Sequence, residues 1–250
     1  MSNNGGTFKD SQIIILGICI AVATITASLI LSQGILKVIK FNNQVISVTG
    51  SAQKNIQSDY IIWTCSFSRR EPALSDAYKK LGEDLKKVSG YLQSQGIQAS
   101  EMTVSQITSD KVFKKSKEGK DTNEIEAYEL VQAIEIRSNN VAVVDVVSRG
   151  STQLINEGII FVSFAPSYFY TKLDELKIEM LAKATENAKA RADNMVKATG
   201  NRIGFMRSAK MGVFQITPVT STDVSDYGIN DTSSFEKKVM AVVNVGFAIE

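Results

Sequence analysis

The longest apolar stretch in the chain runs from Ile13 to Leu31, and no charged residue stands between Asp10 and Lys37. At about 1.5 Å per residue, nineteen helical residues span roughly 28 Å, close to one bilayer hydrocarbon core. The stretch shows no polar face, as a helix buried in a water-soluble body normally would. Its hydroxyl residues Thr24, Thr26 and Ser28 can bond back to the helix's own carbonyls. The pattern predicts a membrane-spanning helix over residues 13–31. A cleavable signal peptide is the alternative. Against it, the run exceeds a usual signal core, Lys9 is offset by Asp10, and only Ala27-Ser28 offers a weak cleavage site.

Beyond the linker Lys37–Asn43 the pattern changes to period two. Val45, Ser47 and Thr49 alternate with Ile46 and Val48, which predicts a strand over Gln44–Ser51. In Asp59–Arg70, Ile61, Trp63, Cys65 and Phe67 form one apolar face opposite Thr64, Ser66 and Ser68, a half-buried antiparallel strand. Pro72 then opens a helix that Gly96 closes, with Leu74, Ala77, Leu81, Leu85, Val88 and Leu92 on one side. Ser100–Phe113 and Glu124–Arg137 read as strands joined by the charged loop 114–123. A short helix covers Val141 to Arg149. Gly158–Phe164 is apolar on both faces, which predicts a central strand.

After Pro166 comes the longest soluble helix, about Lys172 to Thr199, with Thr171 and Asp174 resembling a capping box. Its packing stripe is Leu173, Leu176, Met180, Ala184, Ala188 and Met195. Its alanines make it slim enough to approach a sheet or a partner closely. Arg202–Ile216 and Lys237–Ile249 read as strands, the last with Val239, Ala241, Val243, Val245 and Phe247 on one face. Between them, Thr217–Ser234 has too little apolar content to pack and is expected to be a mobile excursion. The order β-β-α-β-β-α-β-α-β-β predicts an α+β fold: an N-terminal transmembrane helix, then antiparallel sheet with helices packed on one face. Residues 1–40 are expected to form a tail, anchor and linker, the tail cytoplasmic only by the family resemblance given below, and residues 41–250 one α+β domain.

Composition narrows the chemistry. A net charge of +2 points no strong field at nucleic acid, and Lys111, Lys114, Lys115, Lys117 and Lys120 are diluted by Glu118, Asp121 and Glu124. Histidine is absent, which removes the commonest metal ligand and the commonest general base. One cysteine, Cys19, lies in the apolar run and the other, Cys65, in the body, so the body has no internal disulfide. Charges flanking the apolar run are nearly balanced and leave its orientation open.

Three segments resemble the SIMPL domain family. Val45-Ile-Ser-Val-Thr-Gly is similar to the family's opening strand, and Gly158-Ile-Ile-Phe to the strand before its long helix. Ala188-Lys-Ala-Arg-Ala-Asp-Asn-Met-Val-Lys-Ala-Thr-Gly-Asn-Arg-Ile-Gly resembles the family's helix ending. The resemblance spans Val45 to Ile249 in order and spacing. It implies a bacterial envelope protein, here single-pass in the inner membrane with its body on the periplasmic or extracellular side. It further implies assembly into large rings, an unassigned biochemical activity and links to stress tolerance.

Candidate site residues are few. Arg191 and Asp193 can recognise a ligand, or form an exposed ion pair or a helix–sheet clamp. Asp174, Glu175 and Glu179 are acids at helical spacing, read as a solvated first turn favoured by the helix dipole. Cys65 is a redox thiol or, among Ile61, Trp63 and Phe67, an inert core residue. No nucleophile elbow, phosphate-binding loop, dinucleotide fingerprint or Cys-x-x-Cys is present. The sequence therefore yields no catalytic, cofactor-binding or metal-ligating residue and is read as non-enzymatic. The expected partners are the bilayer, through residues 13–31, and further copies of the chain, through the terminal strand or the Ala-rich helix. A monomeric ligand-binding or stress-protective module is the alternative.

Overall fold

The computed structural model describes residues 6–250. The short polar segment Met1–Asp10 is expected from sequence to be disordered; its first half lies outside the described residues, and from Gly6 to Asn43 the chain is helical.

Helix α1 (Gly6–Asn43) contains the apolar run and extends past both its ends. The expected linker at Lys37–Asn43 is helical, since no proline interrupts the good helix formers around Leu36 and Lys37. Ile14–Ile39, 26 residues, has no buried position and would be about 39 Å long. Thr24 Oγ1 donates to Ile20 O at 3.0 Å, Thr26 Oγ1 to Val22 O at 2.9 Å and Ser28 Oγ to Ile25 O at 3.0 Å. The helix thus satisfies its own polar groups, as an apolar medium requires. Gln44 alone separates α1 from β1 (Val45–Gln57).

The chain follows as β2 (Tyr60–Glu71), α2 (Leu74–Ser94), a 3₁₀ turn Ala99–Glu101, β3 (Met102–Val104), β4 (Thr108–Lys115) and β5 (Asp121–Ser138). Next come α3 (Val141–Gly150), a 3₁₀ helix Ser151–Glu157, β6 (Ile160–Ser163), β7 (Ser167–Phe169) and α4 (Leu173–Lys197). The last elements are β8 (Ile203–Met211), β9 (Gln215–Pro218), β10 (Ile229–Asn230) and β11 (Glu236–Ile249). The α+β class and the broad order agree with the sequence pattern. The chain divides into two compact units. One holds the chain up to Ser51, Lys183–Gly212 and Val242–Glu250; the other holds Ala52–Ala182 and Val213–Ala241.

In the larger unit, a six-stranded sheet runs β3-β5-β2-β6, with β4 also on β5 and β7 also on β2. β2 and β5 pair antiparallel over Ile61↔Ser138 to Glu71↔Tyr128. The predicted apolar face of β2 is fully buried: Ile61, Trp63, Cys65 and Phe67 meet Ala77, Leu81, Val88 and Leu92 of α2 and Val141, Val144 and Val147 of α3. Leu74 is exposed rather than part of that stripe, because the helix begins there. The expected strand Ser100–Phe113 is broken at Ser105. Its hydroxyl accepts from Ala133 N at 3.0 Å, a bond that a side chain takes in place of the ladder. Gly158, at φ +78°, supplies the left-handed residue that ends the 3₁₀ helix before β6.

Two strand expectations are corrected. β6 is the last strand in its sheet, not a central one. Ile159 and Phe161 are buried, whereas Ile160, Val162 and Phe164 are each roughly half exposed, so the two-sided apolar pattern marks a surface row. β11, which alternation alone allowed to pair in its own sheet or with a neighbour, pairs in its own, in the order β1-β11-β9-β10, with β8 also on β11. Gly212 splits the expected strand 202–216 into β8, which pairs with Val243–Ile249, and β9, which pairs with Lys237–Met240. The polar stretch 217–234 is tied down despite its composition. β10 pairs parallel with β9, and buried Gln215 donates to Ser225 O at 2.6 Å.

In the smaller unit, Ala184, Ala188, Ala192 and Val196 form the buried row of α4. Met195, assigned to that stripe from sequence, is exposed, because the row advances in four-residue steps to Val196. The row lies against Gly50. A Cβ there would meet Ala188 N at 2.5 Å and Ala188 Cβ at 2.6 Å, and would also strike Ala184 O.

Candidate functional site

α3 has two faces of different character. Val141, Val144, Val147 and Ser148 are buried. The other face carries Ala142, Asp145, Val146 and Arg149, so an apolar side chain stands between two charged ones. Asn140 caps the helix by accepting from Val143 N. β7 pairs with β2 through Ile61↔Tyr168 and so brings Tyr168 to this face. Tyr168 N donates to Thr232 O at 2.8 Å, and Ser58 N donates to Phe235 O at 3.0 Å. These bonds hold Phe235 beside Tyr168, their rings edge-on at 6.2 Å.

Together these segments frame a cavity of about 290 Å³. Its walls are Val141, Ala142, Val146 and the two rings, and its polar groups are Asp145, Arg149 and the Tyr168 hydroxyl. Tyr168 Oη donates to Asp145 Oδ1 at 2.6 Å, and Arg149 Nη2 donates to Asp145 Oδ2. Burial, then the bond to Asp145, pushes the Tyr168 phenol up to about 12, so it stays a donor at neutral pH. The Arg149 side chain is 74% exposed and that of Asp145 22%. Both charges therefore sit at the mouth of an apolar cup.

Tyr168 also borders a second cavity, of about 40 Å³, into which Lys237 projects. The Lys237 side chain is 2% exposed. Its Nζ donates to Asp231 O and lies 3.7 Å from Asp231 Oδ2. Burial pushes the Lys237 amine down, while Asp231 opposes that shift. The pair fixes the turn before β11.

The residues singled out from sequence do not converge. Arg191 Nη1 donates to Thr49 O at 3.0 Å, the helix–sheet clamp. Asp193 pairs with Lys197 at 2.5 Å, Asp174 with Lys177 at 3.4 Å and Glu179 with Lys54 at 2.7 Å, while Glu175 is exposed. Cys65 is buried and unbonded to Cys19, its thiol pushed up to about 12 by burial. Among the described residues, no group of three or more His, Cys, Asp or Glu is placed to hold a metal.

Sequence reasoning missed Asp145, Arg149, Tyr168 and Phe235. It also missed the Arg69–Asp84 pair, in which Arg69 donates through Nε to Oδ2 and through Nη2 to Oδ1 at 2.8 Å. The available signal was local. Val146 is an apolar residue on the charged face of a short helix, and Asp84 interrupts the polar–apolar rhythm of α2.

Fold and sites together define an α+β body behind a single apolar N-terminal helix. That helix has the length and composition of a membrane anchor or signal sequence. Residues 46–247 match the model of the SIMPL family, a protein of unknown function (DUF541), and the chain belongs to that family. No curated protein matches the chain.

Proposed function

We propose that the chain is a single-pass protein of the bacterial inner membrane, with its SIMPL body outside the cytoplasm. In this reading it is a non-enzymatic, homo-oligomeric assembly that serves envelope integrity or stress tolerance. The observation that carries the reading is the Ile14–Ile39 helix, wholly exposed and joined to a family-matched body. A 26-residue helix of mean hydropathy 2.7 that the rest of the chain leaves uncovered needs an apolar surround such as lipid. Assembly draws support from β6, a terminal strand whose exposed Ile160, Val162 and Phe164 form an apolar row that a second copy would cover. Holding bodies at one membrane raises their effective concentration, so weak contacts suffice.

Two measurements test this reading. Protease added to intact spheroplasts should remove the body from a membrane-retained, full-mass chain. A body protected until lysis, or a mature chain lacking residues 13–31, overturns the topology. Light scattering of the detergent-solubilised chain should give a multimer that Val162→Lys disperses with its circular dichroism unchanged. A monomer at every micromolar concentration overturns the assembly.

A further inference from the structure

We propose that the cavity between α3, β7 and Phe235 binds a free apolar α-amino acid. The ligand's side chain would enter the cup, its ammonium would meet Asp145 and its carboxylate Arg149. The site lies within one chain and does not depend on assembly or topology.

The size is suitable. About 290 Å³ is at the low end for small-molecule pockets, so the occupant is a compact metabolite rather than a lipid or a cofactor. The walls are also suitable. Val146 is 69% exposed and Phe235 40% exposed, and both line the same concavity beside the Tyr168 ring. Apolar side chains left facing solvent around one hollow favour an apolar occupant.

The charges decide the ligand's polar end. An ionised carboxylate has about four lone-pair positions, and Asp145 uses two, for Tyr168 and Arg149. It can still accept from an ammonium. Arg149 has five N–H donors, and among the described residues its one hydrogen bond is to Asp145. The rest of its guanidinium is available to a carboxylate. A simple anion would be drawn to Arg149 but repelled by Asp145, and a simple amine would face the reverse. A zwitterion with an apolar body satisfies both charges and leaves the site neutral. The Tyr168 hydroxyl is committed to Asp145, so it positions that carboxylate.

Isothermal titration of the detergent-solubilised full chain with L-phenylalanine and L-leucine tests the proposal. Phenylpropionate and phenethylamine, which lack the ammonium and the carboxylate respectively, serve as matched controls. At least one amino acid should bind at roughly millimolar Kd or tighter, and each control at least about tenfold more weakly. Arg149→Gln should weaken the amino acid about tenfold and, by removing the cation that repels it, strengthen the otherwise weak amine. Val146→Glu changes a solvent-facing position and should abolish binding with the melting temperature retained. Equal binding of either control, or no heat from any ligand at millimolar concentration, overturns the proposal.

Discussion

Replacing Gly50 by alanine tests how closely α4 approaches β1. The added Cβ would lie 2.5 Å from Ala188 N and 2.6 Å from Ala188 Cβ, where ordinary contact begins near 3.4 Å. Ala184 O and Ala188 N are backbone atoms, so no rotamer change relieves the clash. Restoring contact at Ala188 N needs a helix shift of at least about 0.9 Å, and clearing the nearer Ala184 O needs somewhat more. A gap of about that size forfeits a quarter to a half of each dispersion contact along the row Ala184, Ala188, Ala192 and Val196. With the usual cost of overpacking, the loss comes to about 2–3 kcal/mol. For a body of this size that lowers the melting temperature by roughly 5–10 °C. The assay is thermal unfolding of the solubilised chain followed by far-ultraviolet circular dichroism. Gly82→Ala is the control. It makes the same chemical change inside α2, where a new Cβ meets nothing within 4 Å. It should raise stability by about 0.5–1 kcal/mol through helix propensity. The reasoning fails if Gly50→Ala melts within about 1 °C of the parent, or if both variants shift in the same direction.

Other outcomes follow from buried polar groups. Asp84→Ala leaves the Arg69 guanidinium without its carboxylate and should cost about 3 kcal/mol in urea unfolding, whereas Arg69→Met combined with Asp84→Leu should recover most of that loss. Cys65→Ser should cost about 1–3 kcal/mol, because a hydroxyl replaces a small apolar group at a fully buried position, and a bulky maleimide should label native Cys65 only on unfolding. Burial raises the Cys65 pKa from 9.0 to about 12, so between those values the unfolded chain loses the proton first. Stability relative to Cys65→Ala should therefore hold below pH 9 and fall above it, and a flat difference up to pH 11 would count against burial.

Sequence periodicity was most informative where one face of an element is buried and the other wet. The alternation in β2 and the three- and four-residue steps in α2 translated directly into the core around Trp63. β6 misled because two-sided apolarity has two causes. A strand can be covered on both faces, or it can leave one face for something outside the chain. β11 was read correctly for its buried face but left open as to its edge, since alternation says nothing about which backbone groups are already paired. The α3 cavity was illegible for a different reason. It is assembled from three segments brought together by backbone bonds such as Tyr168 N to Thr232 O, and its residues lie up to 94 positions apart, Val141 to Phe235. The excursion 217–234 lacked apolar content, yet hydrogen bonds through Gln215 and Asp231 hold it. Composition counts burial and misses that contribution.

The junction at Gln44 sets the reach of the protein. One extended residue covers about 3.5 Å, so an uncleaved helix has no stalk on which the body could swing away from the bilayer. If the helix stays in the bilayer as proposed, whatever the body meets must come to the membrane surface. A turn of α1 about its own axis would be passed on as a turn of the first strand, because no slack lies between them to absorb it. Inserting a flexible Gly-Ser spacer after Gln44 would remove that stiffness while leaving every residue of helix and body in place.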